Sequence, residues 1–346
     1  MNGPRRYFAS DNNATVSAEV MAALEEANVG HATGYGDDPW TERAARVFKR
    51  HFGDQAETQI VFNGTGANIV ALSAIMRPYE AVLCSAQAHL HVDECGALER
   101  ASGSKVMVLP DIDGKVSAED LRPYRVWHGD VHRSQPRVLS ITNATEYATV
   151  YTPGEILALA GECREQGLAL HVDGARLCNA AAALGLPLRA LTTDCGVDVV
   201  SFGGTKNGLM QGEAIVWLTG RPAHADFTRK QAAQLGSKMR FSAAQLIALL
   251  EGNLWLRNAR RANAMAALLR DRLAGAPGVQ ITRPVEANGV FARIPKIAAE
   301  ALKERFHFYI WDPAVTEVRW MCSHDTTEDD VAEFADAVRA EAAKGN

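Results

Sequence analysis

The sequence lacks the features that mark nucleic-acid-binding and membrane-spanning proteins. Its formal net charge is −5, and its 346 residues contain no basic cluster with interleaved aromatic residues, so no nucleic-acid partner is expected. No apolar run approaches the roughly 20 residues of a membrane helix. The first residues also lack the apolar stretch of a signal peptide. We therefore expect a cytoplasmic protein without a membrane partner.

Cysteine is sparse, and its spacing excludes two common kinds of site. The sequence has six scattered cysteines and no CxxC pair, whereas zinc ribbons and thiol redox centres need close pairs. His128 and His132 are four residues apart but lack the glutamate of an HExxH motif. The GxSxG turn of serine hydrolases is absent as well. We predict free thiols and no metal site.

Short apolar runs alternate with segments of helical periodicity between residues 59 and 218. This alternation predicts an α/β domain with a mainly parallel sheet. Beyond about residue 222, a long helical stretch over residues 238–273 precedes four short strands, which predicts a smaller α+β domain. We predict a large domain over residues 1–240, with an N-terminal arm over 1–16, and a small domain over 241–346.

One strand ends in a lysine among small residues. The apolar run 197–202 is followed by Gly-Gly-Thr-Lys, which ends at Lys206. Active sites of parallel α/β sheets collect at the carboxyl ends of strands. Lysine forms a Schiff base with an aldehyde when burial or a nearby cation lowers its pKa. Lys206 is therefore a candidate for holding an aldehyde cofactor, and a lysine that closes a loop is the structural alternative.

Two other strand ends carry candidate binding residues. The turn 63–66 (Asn-Gly-Thr-Gly) lies between a strand and a helix, where backbone amides can bind phosphate; a tight structural turn is the alternative. It is neither a P-loop nor a dinucleotide fingerprint. Asp173 directly follows the predicted strand 168–172, and a buried carboxylate needs a cation. A protonated pyridine nitrogen would serve, and so would Arg176 in a structural ion pair.

His89 follows a third strand, which ends at Cys84. An imidazole at this place can stack on a flat cofactor ring or transfer protons. His89 and His91 also form a His-x-His pair, but no companion cluster of metal ligands is evident. The structural alternative is an ordinary polar histidine.

Taken together, these motifs resemble those of fold-type I pyridoxal-phosphate enzymes, in particular the bacterial low-specificity L-threonine aldolases of the β-eliminating lyase superfamily. The residues that carry the resemblance span nearly the whole chain: 8–12, 35–38, 62–68, 88–89, 93–96, 171–176, 202–208, 286–291 and 319–323. The resemblance implies a large domain with a mainly parallel seven-stranded sheet and a small C-terminal α+β domain.

The resemblance also implies how pyridoxal 5'-phosphate is held. Lys206 would form the Schiff base, Asp173 would pair with the pyridine nitrogen, and His89 would stack on the ring. Further cofactor contacts are expected from Gly64, Thr65, Thr205 and Arg176.

The substrate side is implied in the same way. Ser10, Arg176 and Arg319 match positions that hold the substrate carboxylate. His132 falls where the family often has a second active-site histidine. Tyr35 lies in a loop that reaches towards the active site at a subunit interface, which implies a homotetramer built from tight dimers.

The expected reaction is retro-aldol cleavage of L-threonine, L-allo-threonine and other β-hydroxy-α-amino acids to glycine and an aldehyde such as acetaldehyde. His89 or His132 would take the hydroxyl proton, directly or through water. Another fold-type I enzyme, an amino-acid β-lyase or an aminotransferase, is the nearest alternative. More distant ones are a nucleotide-binding oxidoreductase and a phosphate-binding scaffold. The Gly-Gly-Thr-Lys-Asn-Gly sequence departs from the commoner Ser-Lys-Gly and leaves the side-chain specificity open.

Overall fold

The larger sheet has seven strands, of which only one runs against its neighbours. In this computed structural model, which describes residues 7–344, their order is β1-β7-β6-β5-β4-β2-β3, and β7 is the antiparallel member. The predicted mainly parallel sheet is confirmed. Its strands are β1 Glu57–Val61, β2 Glu80–Ser85, β3 Lys105–Leu109, β4 Gln135–Thr142, β5 Ala169–Gly174, β6 Val199–Gly203 and β7 Glu213–Trp217.

Helices cover both faces of this sheet, as the apolar strands require. Along β2, Leu83 belongs to the core on one face, whereas Val82 and Cys84 belong to a cluster on the other. The helices of this part are α1 Ala18–Ala27, α2 Pro39–Phe52, α3 Gly64–Ile75, α4 His89–Val92, α5 Ala97–Ser102, α6 Ala118–Leu121, α7 Pro153–Gln166, α8 Leu177–Leu184, α9 Ala225–Gln231 and α10 Met239–Glu251.

The long helical stretch predicted over residues 238–273 is two helices, α10 and α11 (Leu254–Leu273). Asn253 between them has φ of 56°, and a left-handed residue cannot continue a right-handed helix. The same reason separates α4 from α5, because Cys95 and Gly96 have φ of 54° and 67°. The helical periodicity of residues 92–101 predicts one continuous helix there, and this prediction is wrong.

A second sheet of four antiparallel strands forms the smaller part, in the order β10-β11-β9-β8. Its elements are β8 Gln280–Ile281, β9 Gly289–Arg293, α12 Lys296–Lys303, β10 Tyr309–Asp312, β11 Glu317–Met321 and α13 Glu328–Lys344. The first part of α11 packs in the larger core and its later part in the smaller one. The division at residue 240 stays a prediction. Helix α10 spans this boundary and packs on α1 and α2 of the larger part.

The N-terminal segment crosses the smaller part before it reaches the larger one. The backbone of Phe8 hydrogen-bonds to His307 and Met321, and its ring stacks on Phe334 at a centroid distance of 4.2 Å. These contacts fix the position of the residues that follow, including Asp11. Of the predicted arm 1–16, residues 1–6 lie outside the described residues.

The carboxyl ends of β1, β2, β4, β5 and β6 lie along one edge of the larger sheet, next to the start of β7. Loops after parallel strands form the binding sites of such sheets. This edge therefore brings together the strand ends that carry the predicted motifs. No helix within residues 7–344 is both long and apolar enough to cross a membrane.

Candidate active site

A cavity of about 420 Å³ opens at this edge, within the size range of small-ligand pockets. Segments that are far apart in sequence line it, from Asn12 near the N-terminus to Glu213 on β7. The structure gathers here six residues predicted from the sequence: Gly64, Thr65, His89, Asp173, Thr205 and Lys206.

Lys206 lies in a 3₁₀ turn directly after β6 and is half-buried. Burial, followed by the positive charge of Arg176, lowers the pKa of its ammonium group, against the opposing effects of Asp11 and Asp173. Gly203 lets this turn approach the loop after β5, because a Cβ at Gly203 would lie 2.6 Å from the Cα of Ala175. A lowered pKa increases the fraction of neutral amine, which is the form of lysine that attacks aldehydes.

Asp173 is buried near the end of β5 and is held by two hydrogen bonds. Asn68 Nδ2 donates to Oδ2 at 2.9 Å, and the amide of Ala175 donates to Oδ1 at 3.0 Å. Burial opposes ionisation, but these hydrogen bonds and the charges of His171 and Lys206 lower the pKa of Asp173. An ionised carboxylate is thus ready to face a cation such as a pyridinium nitrogen.

His89 begins α4, at the carboxyl end of β2. Its Nδ1 lies 2.9 Å from Oε1 of the buried Glu94, and its backbone amide donates to Glu146 at 2.9 Å. The hydrogen bond with Glu94 raises the pKa of His89, although burial opposes this. Because a carboxylate accepts, we assign the hydrogen to Nδ1, which leaves Nε2 for the cavity.

The turn after β1 provides the start of α3. Asn63 caps the helix, since its Oδ1 accepts from the amide of Gly66 at 2.7 Å. The amides of Gly64 and Thr65 belong to the first turn, where no partner exists inside the helix. With the helix dipole they favour an anion, and a Cβ at Gly64 would meet no atom within 4 Å. The turn suits a phosphate group.

Glu213 opens β7 beside this turn and lines the same cavity. The amide of Gly204 donates to its Oε2 at 2.7 Å. Burial raises the pKa of Glu213 to about 7, although hydrogen bonds from Thr205 oppose the shift. The Thr205 hydroxyl, predicted to contact the cofactor, is thus already directed at a carboxyl group.

Arg176 pairs with Asp11 and not with Asp173, so the structural alternative considered for Asp173 is wrong. Its Nε and Nη2 donate to the two oxygens of Asp11 at 2.7 and 2.8 Å. Asn288 Nδ2 donates to the same carboxylate at 3.0 Å. Burial opposes ionisation of Asp11, but Arg176 lowers its pKa overall. The pair fixes the guanidinium and leaves its Nη1 unused by Asp11.

Arg319 extends from β11, and its guanidinium lies over the ring of Trp311 at 4.7 Å. Nη2 donates to the carbonyl of Ala9 at 3.2 Å, whereas Nε is buried without a partner among residues 7–344. Burial, and next the positive charge of Arg176, lowers the pKa of Arg319 to about 10. Two guanidinium groups whose charges act on one another, with Nε of Arg319 unpaired, suit an anion such as a carboxylate.

Ser10 lies beside these arginines, immediately before Asp11. Its hydroxyl oxygen accepts a hydrogen bond from the amide of Asn12 at 3.2 Å and caps a short 3₁₀ turn. The turn brings Asn12 to the cavity. Ser10 is thus placed near the expected carboxylate site, on the segment that carries the partner of Arg176.

The single chain does not bring Tyr35 and His132 to the cavity. Tyr35 is exposed, lies under the ammonium group of Lys230 at 4.9 Å and lines a separate groove. His132 is exposed in the loop before β4, where its amide donates to Asp130 at 2.9 Å. Their roles at an active site stay predictions that concern an assembly of chains.

Sequence reasoning gave no role to five acidic or amide residues that hold the site together. Three of them lie inside the motifs that carry the resemblance, so their position was a usable signal: Asp11, Asn68 and Glu94. Glu146 and Glu213 had a weaker signal, as single acids next to apolar strands. All five are buried.

The groups around this cavity fit pyridoxal phosphate. The lysine amine suits its aldehyde and the carboxylate suits its ring nitrogen. The imidazole suits the face of its ring, and the helix N-terminus suits its phosphate. No group of three or more potential metal-ligating acids, histidines or cysteines occurs between residues 7 and 344. The fold and the site define a pyridoxal-phosphate-dependent enzyme of fold type I.

Comparisons with known proteins narrow this class. The family described as "Beta-eliminating lyase" matches residues 7–296. A low specificity L-threonine aldolase from a Pseudomonas species (strain NCIMB 10558) is 45% identical and one from Pseudomonas aeruginosa 44% identical, each with 98% of this chain and 99% of the relative covered. A solved threonine aldolase structure from Leishmania major has a TM-score of 0.91 at 29% identity, over 97% of this chain and 99% of that one.

The chain therefore belongs to the β-eliminating lyase family. The resemblance to bacterial low-specificity threonine aldolases, predicted from the motifs, is confirmed by these full-length relatives. The predicted lyase class and the pyridoxal-phosphate cofactor are confirmed as well.

Proposed function

We propose that this protein cleaves L-threonine, L-allo-threonine and related β-hydroxy-α-amino acids to glycine and an aldehyde, by a retro-aldol reaction that depends on pyridoxal phosphate. One observation carries the proposal: Lys206 and Asp173 line one cavity, and burial together with the charge of Arg176 lowers the pKa of the lysine. The names of the full-length Pseudomonas relatives support the same reaction.

The chain's residues would hold the cofactor from four sides. Lys206 Nζ would bond covalently to its aldehyde, and Asp173 would bind the ring nitrogen. Gly64 and Thr65 donate their amides to the phosphate, while His89 covers the ring. When bound, the cofactor supplies a protonated ring that accepts the electron pair of the breaking Cα–Cβ bond.

Arg176 and Arg319 would bind the substrate carboxylate, with Ser10 beside them. Asp11 fixes Arg176 through two hydrogen bonds, and Trp311 lies against Arg319. Two fixed guanidinium groups set the orientation of the carboxylate and hence of the bonds at Cα. This orientation would decide which bond at Cα is cleaved.

Nε2 of His89 would take the proton of the β-hydroxyl group. Its other nitrogen, Nδ1, hydrogen-bonds to Glu94, which stabilises the charge that the ring acquires. His132 is the second candidate for this step, directly or through water, and would have to reach the site in the assembled protein.

The proposed assembly is a cytoplasmic homotetramer built from tight dimers. In it, Tyr35 would extend towards the active site of a neighbouring subunit. The exposed position of Tyr35, outside the cavity of its own chain, supports this proposal. Measuring the mass of the purified protein in solution tests the number of subunits.

The function is tested with one spectrum and one product assay. The holoenzyme should have a visible absorption band, and threonine should yield glycine and acetaldehyde. An aminotransferase or β-lyase would instead form a keto acid, so the products separate the alternatives. In Lys206→Ala, the band and turnover should both be lost, because no other amine replaces Nζ. Lys105→Ala, exposed on β3, is the matched control, and retained turnover in Lys206→Ala would refute the proposal.

A further inference from the structure

The side-chain amide of Asn68 connects two acidic residues of the site, Asp173 and Glu94. Asn68 is buried in α3 and makes no contact with solvent through its amide. Its Nδ2 donates to Oδ2 of Asp173 and to Oε1 of Glu94, both at 2.9 Å. An amide nitrogen has two hydrogens, so both are used. The orientation is unambiguous, since the reverse one would direct Oδ1 at two carboxylates.

The two acceptors of this amide serve different partners. Asp173 lies where the ring nitrogen of the cofactor is expected, whereas Glu94 accepts from Nδ1 of His89 at 2.9 Å. The Glu94 side chain is fully buried. A buried carboxyl oxygen that loses its hydrogen-bond donor is costly, so each of these two acids depends on the shared amide for its position. Asn68 donates to both of them without adding charge.

We infer that Asn68 is a positioning residue that fixes the side chains of Asp173 and Glu94 through two hydrogen bonds, and thereby links the ring-nitrogen site to the imidazole of His89. The inference rests on the proposed function for the role of His89, but not for the hydrogen bonds themselves. Asn68 does not line the cavity and would act through the two acids.

Three substitutions separate this role from simple packing. Asn68→Ala removes both donors, Asn68→Ser keeps one, and Asn68→Asp keeps the shape but adds a third carboxylate. The affinity of the holoenzyme for pyridoxal phosphate, followed by its visible band, should fall in the order Asn, Ser, Ala at neutral pH. Asn179→Ala is the control, because Asn179 is equally buried and its amide bonds only to Asn263 outside the site.

The pH dependence of Asn68→Asp is the decisive readout. The introduced carboxyl group can donate a hydrogen bond only while it holds a proton, and this form is more populated at about pH 6 than at about pH 8.5 because its two neighbours are also acids. The cofactor affinity of Asn68→Asp relative to the unsubstituted protein should therefore rise by about tenfold or more from the higher pH to the lower one. At the higher pH, Asn68→Asp should bind the cofactor more weakly than Asn68→Ala.

With threonine, Asn68→Ala should lower kcat by about tenfold to a hundredfold and change KM less, since orientation and charge at the reacting groups are affected. The inference is overturned if Asn68→Ala binds the cofactor as tightly as the unsubstituted protein, or if the isosteric Asp variant outperforms Ala at both pH values. If Asn68→Asp does not fold, the ranking of Ser and Ala decides. The cofactor measurements need no substrate, so they stay valid if the proposed reaction is wrong.

Discussion

The buried ion pair between Asp11 and Arg176 allows a quantitative test of how the carboxylate site is built. The substitution Asp11→Ala removes the acceptor of both guanidinium hydrogen bonds, at 2.7 and 2.8 Å. The Asp11 side chain is 0% exposed and that of Arg176 10% exposed. Arg176 would therefore remain buried without its counter-charge.

Removing one partner of a buried ion pair costs about 3–5 kcal/mol of the free energy of unfolding. Asn288 also loses a hydrogen-bond acceptor, which favours the upper part of this range. The freed guanidinium no longer has a fixed orientation towards the substrate carboxylate. A misplacement of about 1 Å can cost a hundredfold in rate, and we expect a loss of about this size in kcat/KM for threonine.

The chain offers a matched control in Asp194, which pairs with Arg189 at 2.8 Å through a similar fork of hydrogen bonds. These two side chains are 45% and 50% exposed, and exposed pairs contribute less than about 1 kcal/mol. Denaturation by urea should show a large loss of stability for Asp11→Ala and a small one for Asp194→Ala. Activity of Asp194→Ala should be unchanged.

The ion pair also predicts how the stability of the protein changes with pH. The pKa of Asp11 is lowered from its ordinary value of 3.8, so its contribution to stability is present above that value and lost as the pH falls through the folded-state pKa. Asp11→Ala should lack this acid-dependent loss. Equal destabilisation by Asp11→Ala and Asp194→Ala, or an unaltered kcat/KM in Asp11→Ala, would refute the reasoning.

Two further substitutions test the histidine and the glycine turn. Glu94→Gln replaces the carboxylate that raises the pKa of His89 by a neutral amide, so the acidic limb of the kcat/KM profile should move to lower pH; an unmoved limb would exclude His89 as the base. Gly203→Ala should destabilise the protein by about 1–3 kcal/mol and weaken cofactor binding, because its Cβ would meet the backbone of Ala175. Its control, Gly161→Ala in α7, has free space and should stabilise the protein by up to about 1 kcal/mol; equal effects on thermal unfolding would contradict the steric explanation.

Much of the fold could be predicted because it depends on local patterns. Buried strands are short apolar runs, and their alternation with helical segments defines a parallel sheet. Where the prediction failed, at residues 95–96 and 252–253, two or three residues decide the backbone direction. A left-handed cysteine or asparagine has no reliable signature in the sequence.

The sequence by itself determined the class of chemistry, because a lysine, an aspartate and an anion-binding turn each stand at a strand end. Only the tertiary structure decided which groups meet. Arg176 could pair with the nearby Asp173, yet its partner is Asp11, 165 positions away. Asn68 bridges to Asp173 across 105 positions. Sequence reveals which groups can hydrogen-bond, whereas strand order and the path of the N-terminal segment decide which of them lie within 3 Å.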